Sequence, residues 1–216
     1  MEKIALIGAT GFIGSRLLEE LLNRGFEVTA IARSANKITN KSGKLKVAEV
    51  DIFDTDALAQ VLQGNDAVVS AYNPGWGNPD IAVDTLKGYK SIIAATKKAG
   101  IKRLQVVGGA GSLLVAPGKT LVDSGFIPGE ILPAVKALAQ VLKEQLPAEK
   151  ELDWVFFSPA GTIEPGERTG KYRLGLDDLI VDKDGNSKIS AEDYAKAMVD
   201  ELKHPKHHQQ RFTIGY

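Results

Sequence analysis

The sequence predicts an α/β fold, a doubly wound and mainly parallel sheet with helices on both faces. Three observations predict it. Short apolar runs of strand length alternate with segments of helical periodicity along the whole chain. Glycines, 22 of them, punctuate the junctions between the two patterns. No linker, repeat or low-complexity tract breaks the alternation, and strands alternating with helices imply βαβ units joined by right-handed crossovers. Residues 1–216 are therefore expected to form one domain, as the length suggests at about 100–200 residues each.

Each element has its own signal. Ile4 to Ile7 is a continuous apolar run ended by Gly8, as expected of a strand buried on both faces. Ile13, Leu17, Leu18 and Leu21 follow helical spacing, and Gly25 supplies a left-handed cap. Val28–Ile31 and Leu45–Val50 read as the second and third strands, Thr55–Leu62 as a short helix, and Ala67–Ser70 as the fourth strand. A long helix over Asp80–Ala99 is closed by Gly100. Leu104–Val107 is the fifth strand, Pro133–Leu146 a helix, and Trp154–Phe157 the sixth strand. Ser190 opens a last helix, and Asp193 three residues on resembles a capping box. The turn-rich stretches Asn73–Pro79 and Gly108–Gly129 both follow strands, where open α/β sheets build their ligand sites.

Composition removes several functions. The absence of cysteine excludes disulfides, thiolate catalysis, zinc fingers and iron–sulfur clusters. Lys plus Arg is 27 and Asp plus Glu is 27, so the basic excess of a nucleic-acid binder is missing. No apolar run approaches the roughly 20 residues that a bilayer requires. The N-terminus passes from Met1-Glu2-Lys3 straight into a short apolar run and then glycines, which is not a signal-peptide pattern. A soluble, cytoplasmic chain is expected.

Gly8-Ala9-Thr10-Gly11-Phe12-Ile13-Gly14 joins the first strand to the first helix. Gly8 permits the tight turn, Gly11 lets backbone amides approach a pyrophosphate, and Gly14 lets helix and strand pack closely. The exposed N–H groups at the helix start make an anion site. Without a following G-K-[ST] this is no mononucleotide P-loop. It reads as a dinucleotide-binding phosphate turn, the alternative being a glycine-rich strand–helix turn that holds no ligand. An NAD site places an acid about 20 residues beyond the glycines, whereas this chain has Ala32-Arg33-Ser34. A guanidinium pairs with a 2′-phosphate in a forked geometry. Arg33, with Ser34 and an outlying Lys37, therefore favours NADP(H) over NAD(H); the alternative is an Arg33 that is solvated or stacks on adenine. Asp51 is placed either to accept from the adenine amino group or to cap its own turn.

G-A-T-G-F-I-G, V-V-S-A-Y-N-P-G, V-V-G-G-A-G-S-L, V-A-P-G, F-F-S-P-A, E-P-G-E-R-T-G-K-Y-R-L-G, I-S-A-E-D-Y-A and R-F-T-I-G-Y run in order through the chain. Together they resemble the NADH-flavin-reductase-like branch of the atypical short-chain dehydrogenases/reductases, over essentially the whole length. The wider group includes a biliverdin-IXβ/flavin reductase and dinucleotide-binding regulators. The resemblance implies a nicotinamide cofactor and a flavin or quinone acceptor. It places Gly8, Thr10, Gly11, Phe12, Ile13 and Gly14 around the pyrophosphate, Arg33 at the 2′-phosphate, and Asp51 with Ile52 at adenine. Ala71, Tyr72 and Asn73 would lie along the adenine-side ribose and diphosphate. Gly108 and Gly109 would lie beside the nicotinamide ribose, with Ser158, Pro159 and Ala160 behind the ring.

The chain departs from the family in its general acid. None of its tyrosines is followed four residues on by lysine, so no Tyr-x-x-x-Lys pair exists. The helix that should carry the pair reads Leu132-Pro133-Ala134-Val135-Lys136, in which Lys136 is either the surviving family lysine or a surface residue. Ser112 stands near the place of the family's catalytic serine, where it either hydrogen-bonds a carbonyl or caps a turn. Alcohol–ketone chemistry needs a proton delivered to an alkoxide. Hydride transfer to a flavin or quinone asks mainly that two rings be held together. The expected function is thus NADPH-dependent reduction of a planar acceptor, by a monomer or homodimer. The alternative is a non-catalytic NADP(H) sensor. A sugar-nucleotide epimerase or dehydratase is disfavoured, because the residues after the sixth strand leave little room for a substrate domain.

Trp76 in the 72–79 loop either stacks on a planar ligand or packs beneath its own loop. Arg168, Lys171 and Arg173 read as a solvated hairpin in preference to an anion site. Asp182, Asp184 and Asn186 lack the glycine and glutamate spacing of an EF-hand. His204, His207 and His208 read as a surface turn, and no metal site is expected.

Overall fold

A computed structural model describes residues 2–216. The first half is β1 (Lys3–Ile7), α1 (Phe12–Asn23), β2 (Glu27–Ala32), β3 (Leu45–Glu49), α2 (Thr55–Leu62), β4 (Ala67–Ser70), α3 (Ile81–Lys98) and β5 (Arg103–Val107). A hairpin of β6 (Leu114–Ala116) and β7 (Lys119–Thr120) precedes α4 (Leu132–Gln140). The chain ends with α5 (Leu146–Ala148), β8 (Asp153–Ser158), β9 (Thr162–Glu164), β10 (Arg173–Gly175), β11 (Lys188–Ser190), α6 (Ala191–Lys203) and β12 (Gln210–Gly215).

The main sheet has eight strands in the order β10-β12-β8-β5-β4-β1-β2-β3. All neighbours are parallel except β10 and β12, which are antiparallel. From β1 the chain runs outward to β3 and then crosses back to β4 on the other side. The strand order therefore reverses between β1 and β4, the crevice where open α/β sheets bind ligands. Apolar side chains of one sheet face pack against α1 and α6, around Leu17, Leu21, Phe157, Tyr194 and Met198. The other face packs against α2, α3 and α4, around Leu58, Tyr89, Ile92, Val141 and Phe156. Burial on both faces explains why the central strands read as unbroken apolar runs.

The expected elements occur, with four differences. The sixth predicted strand is β8, because the β6–β7 hairpin intervenes. Strands β10 and β12 extend the sheet beyond it; β12 buries Phe212 and Ile214 together with the polar Thr213. The helix expected over Pro133–Leu146 widens into a π-type turn over Val141–Gln145 before α5. The capping box is half made. Ser190 Oγ accepts from the Asp193 N–H at 3.0 Å, but the Asp193 carboxylate accepts from Thr169 Oγ1, the Gly170 N–H and the Tyr216 hydroxyl. That carboxylate thereby anchors the 166–172 segment to α6.

Two stretches read as surface also carry polar contacts to other elements. Arg168 is exposed, as expected, and its guanidinium also donates twice to Glu20 of α1, at 2.8 Å each. Arg173 donates to the carbonyls of Val181 and Tyr216. The histidine turn is likewise tied down. His207 Nδ1 lies 2.8 Å from Glu201 Oε2, and Glu201 also receives the buried Arg103, which bridges to Asp153 and thence to His208. Asp153 is distant from His208 in sequence, whereas Glu201 stands only six residues before His207, at the end of the preceding helix. Among the described residues, no cluster of His, Asp and Glu is placed to hold a metal ion, and no helix is long and apolar enough to cross a membrane.

Candidate functional site

The site grows from the turn after β1. Gly8 has φ +79°, and a Cβ there would stand 2.5 Å from the Ala71 carbonyl oxygen. Only glycine fits, and its N–H donates to the Ile31 carbonyl at 3.0 Å. Gly11 closes the turn by donating to the Gly8 carbonyl at 3.0 Å and stands at the N-cap of α1. The first intrahelical bond runs from Ser15 to Gly11, so Phe12, Ile13 and Gly14 present N–H groups that no side chain caps. The first turn holds no acidic residue, leaving the positive helix end open to an anion.

That helix end borders a cleft of ≈ 250 Å³ at the β1–β4 crevice. Gly8, Thr10 and Gly11 line it from the turn, Arg33 from the end of β2, Ile52 from the segment after β3, and Ala71, Tyr72 and Asn73 from the end of β4. Eight of the residues expected from sequence therefore meet around one cavity. Ser34 and Lys37 join Arg33, and no acidic residue lines the cleft. Arg33 Nη2 makes a long contact of 3.5 Å with the Pro74 carbonyl and takes part in no ion pair among the described residues.

Ile7, Ile31, Ala32 and Val50 also line the cleft. Sequence reasoning assigned Ile7, Ile31 and Val50 to strands alone, and Ala32 only to the stretch that carries Arg33. The signal that finds them is their position, the last apolar residue of β1, the last two of β2 and the residue after β3. Asp51 is exposed beside the cleft, and its Oδ1 caps the turn by accepting from the Phe53 N–H at 3.0 Å. Tyr72 is held edge-on to Tyr89 and donates its hydroxyl to the Asp84 carbonyl at 3.1 Å. Burial, then the nearby Asp84, raises its pKa far above the tyrosine norm. A Cβ on Gly88 would lie 2.3 Å from the Tyr72 ring, so α3 approaches that ring through a glycine.

Beyond the cleft, across β5 and β8, lie the other expected residues. Gly108 donates to the Phe157 carbonyl at 2.8 Å, and its missing side chain admits the Phe156 ring. Gly109 packs against Leu138. Ser158, Pro159 and Ala160 are buried, and Ser158 Oγ has no hydrogen-bond partner. Ser112 Oγ accepts from Arg211 Nη1 at 3.1 Å. Lys136 is exposed on α4, near enough to Asp123 to help hold that carboxyl below its usual value, after the Thr120 hydroxyl and N–H. Trp76 is 65% exposed and does not pack beneath its loop; Phe126, in the loop before α4, is 85% exposed. These loops precede α3 and α4, adjacent helices on one sheet face.

All five tyrosine hydroxyls are engaged elsewhere. Tyr89 donates to the Tyr72 carbonyl, Tyr194 to the Phe157 carbonyl, and Tyr172 to Asp200. Tyr216 bonds Ser190 and Asp193. No tyrosine stands ready to deliver a proton to a substrate.

The cleft has the donors a dinucleotide pyrophosphate requires: an uncapped helix end, a glycine turn without obstructing side chains, and cations without acids. Comparison with known proteins agrees. A family profile described as NAD(P)H-binding matches residues 8–205. The chain is 40% identical to the uncharacterized protein YwnB of Bacillus subtilis, over 98% of this chain and 97% of that protein. A crystal structure of a proposed epimerase from Bacteroides thetaiotaomicron is 58% identical and superposes with a TM-score of 0.95, covering 100% of this chain and 97% of that one. A proposed NADH-flavin reductase from Streptococcus pneumoniae is 36% identical with a TM-score of 0.86, covering 100% and 99%. The chain belongs to the NAD(P)H-binding family of Rossmann proteins, in its atypical short-chain dehydrogenase/reductase branch.

Proposed function

We propose that the chain is an NADPH-dependent reductase that passes hydride to a flavin, a quinone or a similar planar acceptor. The observation that carries this reading is the pairing of an open dinucleotide cleft with five tyrosines committed elsewhere. A bound nicotinamide supplies the hydride. The N–H groups of Phe12, Ile13 and Gly14 hold the pyrophosphate, and Thr10 closes over it. Arg33 and Lys37 receive the 2′-phosphate, so NADP(H) is preferred to NAD(H). Asp51 keeps one oxygen in its turn and presents the other, with the Ile52 backbone, to adenine.

Gly108 and Gly109 leave room for the nicotinamide ribose, and Ser158, Pro159 and Ala160 form a dry wall behind the ring. Trp76 and Phe126 offer flat apolar surface to an acceptor, whose delocalised ring takes the charge while water supplies the proton. Ser112 hydrogen-bonds a carbonyl of that acceptor, and Lys136 stays at the rim. The location is the cytoplasm, where NADPH is available.

The test is titration with NADPH and NADH, followed by stopped-flow oxidation over a panel of flavins and quinones. Tight NADPH binding with acceptor-dependent oxidation supports the reductase. Tight binding without turnover across the panel replaces it with a dinucleotide sensor, whose partner affinity must then differ between NADPH and NADP⁺.

A further inference from the structure

Strand β12 carries a charged side chain toward the loop after β5. Arg211, on the second strand from the edge of the sheet, pairs in register with Phe156 of β8, and its side chain is 9% exposed. Its Nε and Nη2 both donate to Asp177 Oδ1, at 2.9 and 2.6 Å, and its Nη1 donates to Ser112 Oγ at 3.1 Å. Asp177 is itself fixed, because its carbonyl receives the Leu114 N–H at 2.8 Å. The guanidinium is therefore clamped on one side and spends its remaining edge on a serine hydroxyl.

A guanidinium has donors and no acceptor. Its bond to Ser112 consequently fixes the direction of the hydroxyl: the oxygen accepts from Arg211, and the hydrogen must point elsewhere. We propose that Arg211 is a positioning residue that holds Ser112 as a dedicated hydrogen-bond donor to a carbonyl oxygen of the planar acceptor. This rests on the reductase reading and adds to it a role for a residue outside the cofactor cleft.

The arrangement answers the missing tyrosine. As hydride arrives on a flavin or quinone ring, negative charge builds on the conjugated carbonyl oxygen, and a donor already aimed there stabilises it. Ser112 keeps its proton throughout, and water protonates the reduced acceptor afterwards. The positive charge behind the hydroxyl makes it a stronger donor than an isolated serine. Leu132 and Lys136, at the positions of the family's Tyr-Lys pair, are not needed for that task.

The experiment is a double-mutant cycle of Ser112→Ala and Arg211→Met, with Arg211→Lys as the conservative variant. The readouts are kcat and KM with NADPH and menadione, and the Raman carbonyl stretch of menadione bound to the NADP⁺ complex. Each single substitution is expected to lower kcat by about tenfold or more, leaving the KM for NADPH unchanged. Arg211→Met in the Ser112→Ala background should cost nothing further, the signature of two residues acting as one unit. Arg211→Lys should recover part of the rate. The carbonyl stretch should move up in both single variants, by the same amount.

An additive cycle, or a carbonyl band indifferent to Ser112, overturns the proposal and leaves the reductase reading intact. A wild type that neither binds nor reduces any flavin or quinone overturns both. If Arg211→Met does not fold, the Arg211→Lys and Ser112→Ala arms still decide, since a purely structural arginine leaves the carbonyl band of the lysine variant unmoved.

Discussion

A Cβ placed on Gly14 would stand 2.0 Å from the Gly8 carbonyl oxygen, so α1 meets the end of β1 at a distance only glycine permits. That oxygen cannot retreat, because it already accepts the Gly11 N–H that closes the turn. Gly14→Ala must push the helix off the strand and spread the phosphate turn. The expected outcome is destabilisation of about 3 kcal/mol or more, together with loss of NADPH binding. Gly43→Ala is the control, since a Cβ there meets nothing within 4 Å. Urea denaturation without cofactor and an NADPH titration check both effects.

Cofactor choice turns on Arg33. It lines a cleft without an acidic residue and contributes no ion pair among the described residues. Its charge is therefore available to a phosphate. Arg33→Gln should weaken NADPH binding by roughly 1.5–3 kcal/mol, about 10–100-fold in Kd, and leave NADH nearly unchanged. Isothermal titration at two salt concentrations tests this. Equal losses for both dinucleotides would remove Arg33 as the selector.

The parts of this site legible in the sequence are those governed by local chemistry. The turn from Gly8 to Gly14 needs glycines at fixed spacing, and Arg33 follows from its distance along the chain. The ends of the strands were legible as strands but not as cleft walls, because Ile7, Ile31 and Val50 look the same in a core as beside a ligand. What stayed hidden was long-range polar pairing. Arg168 with Glu20, and Arg211 with Ser112, are separated by 148 and 99 residues. Nothing in charge patterning distinguishes such residues from a solvated face. Strand β12 was hidden for a related reason: its alternating Arg211, Phe212, Thr213, Ile214 pattern is too short to separate from a polar tail.

Trp76 is expected to act on the acceptor and not on folding. Its side chain is 65% exposed, so Trp76→Ala removes little buried surface and should leave stability within about 0.5 kcal/mol. An aromatic stacking partner contributes about 0.5–1.5 kcal/mol beyond area burial. KM for a flavin or quinone should therefore rise roughly 3–10-fold, with NADPH affinity unchanged. A KM that does not move would mean that the acceptor enters without touching this loop.

Acid should loosen the join between α1, α6 and the 166–172 segment. The Arg168 hydrogen bond, opposed by burial and assisted by Arg24, holds the Glu20 carboxyl below its ordinary 4.5. Burial works to raise Asp200, but hydrogen bonds from Lys196 and Arg24 outweigh it and hold that carboxyl below 3.8. Both folded pKa values lie below the unfolded ones. Their stabilisation is therefore complete above the unfolded values and is lost as pH falls through the folded ones. Arg168→Gln should cost about 1 kcal/mol at neutral pH, as its guanidinium is partly exposed, and the gap to wild type should close in acid. Denaturation midpoints across the acid range measure it.

The pH dependence of turnover should be flat, without the limb that an ionising catalytic tyrosine would give. A Tyr-Lys pair lowers a tyrosine into the neutral range, and its ionisation then appears in the rate. Here burial raises the tyrosines nearest the sheet, Tyr72, Tyr89 and Tyr194, above their usual value, and each donates its hydroxyl to a backbone carbonyl. The histidine turn lies at the opposite end of the strands, where His207 faces Glu201 and stacks on Phe212. Arg211 cannot titrate, and Ser112 has no proton to lose in this range. With NADPH and acceptor saturating, kcat should vary less than about twofold between roughly pH 6 and 9. A basic limb near neutrality would require a general acid in the cleft, and would shift the reaction back toward carbonyl reduction.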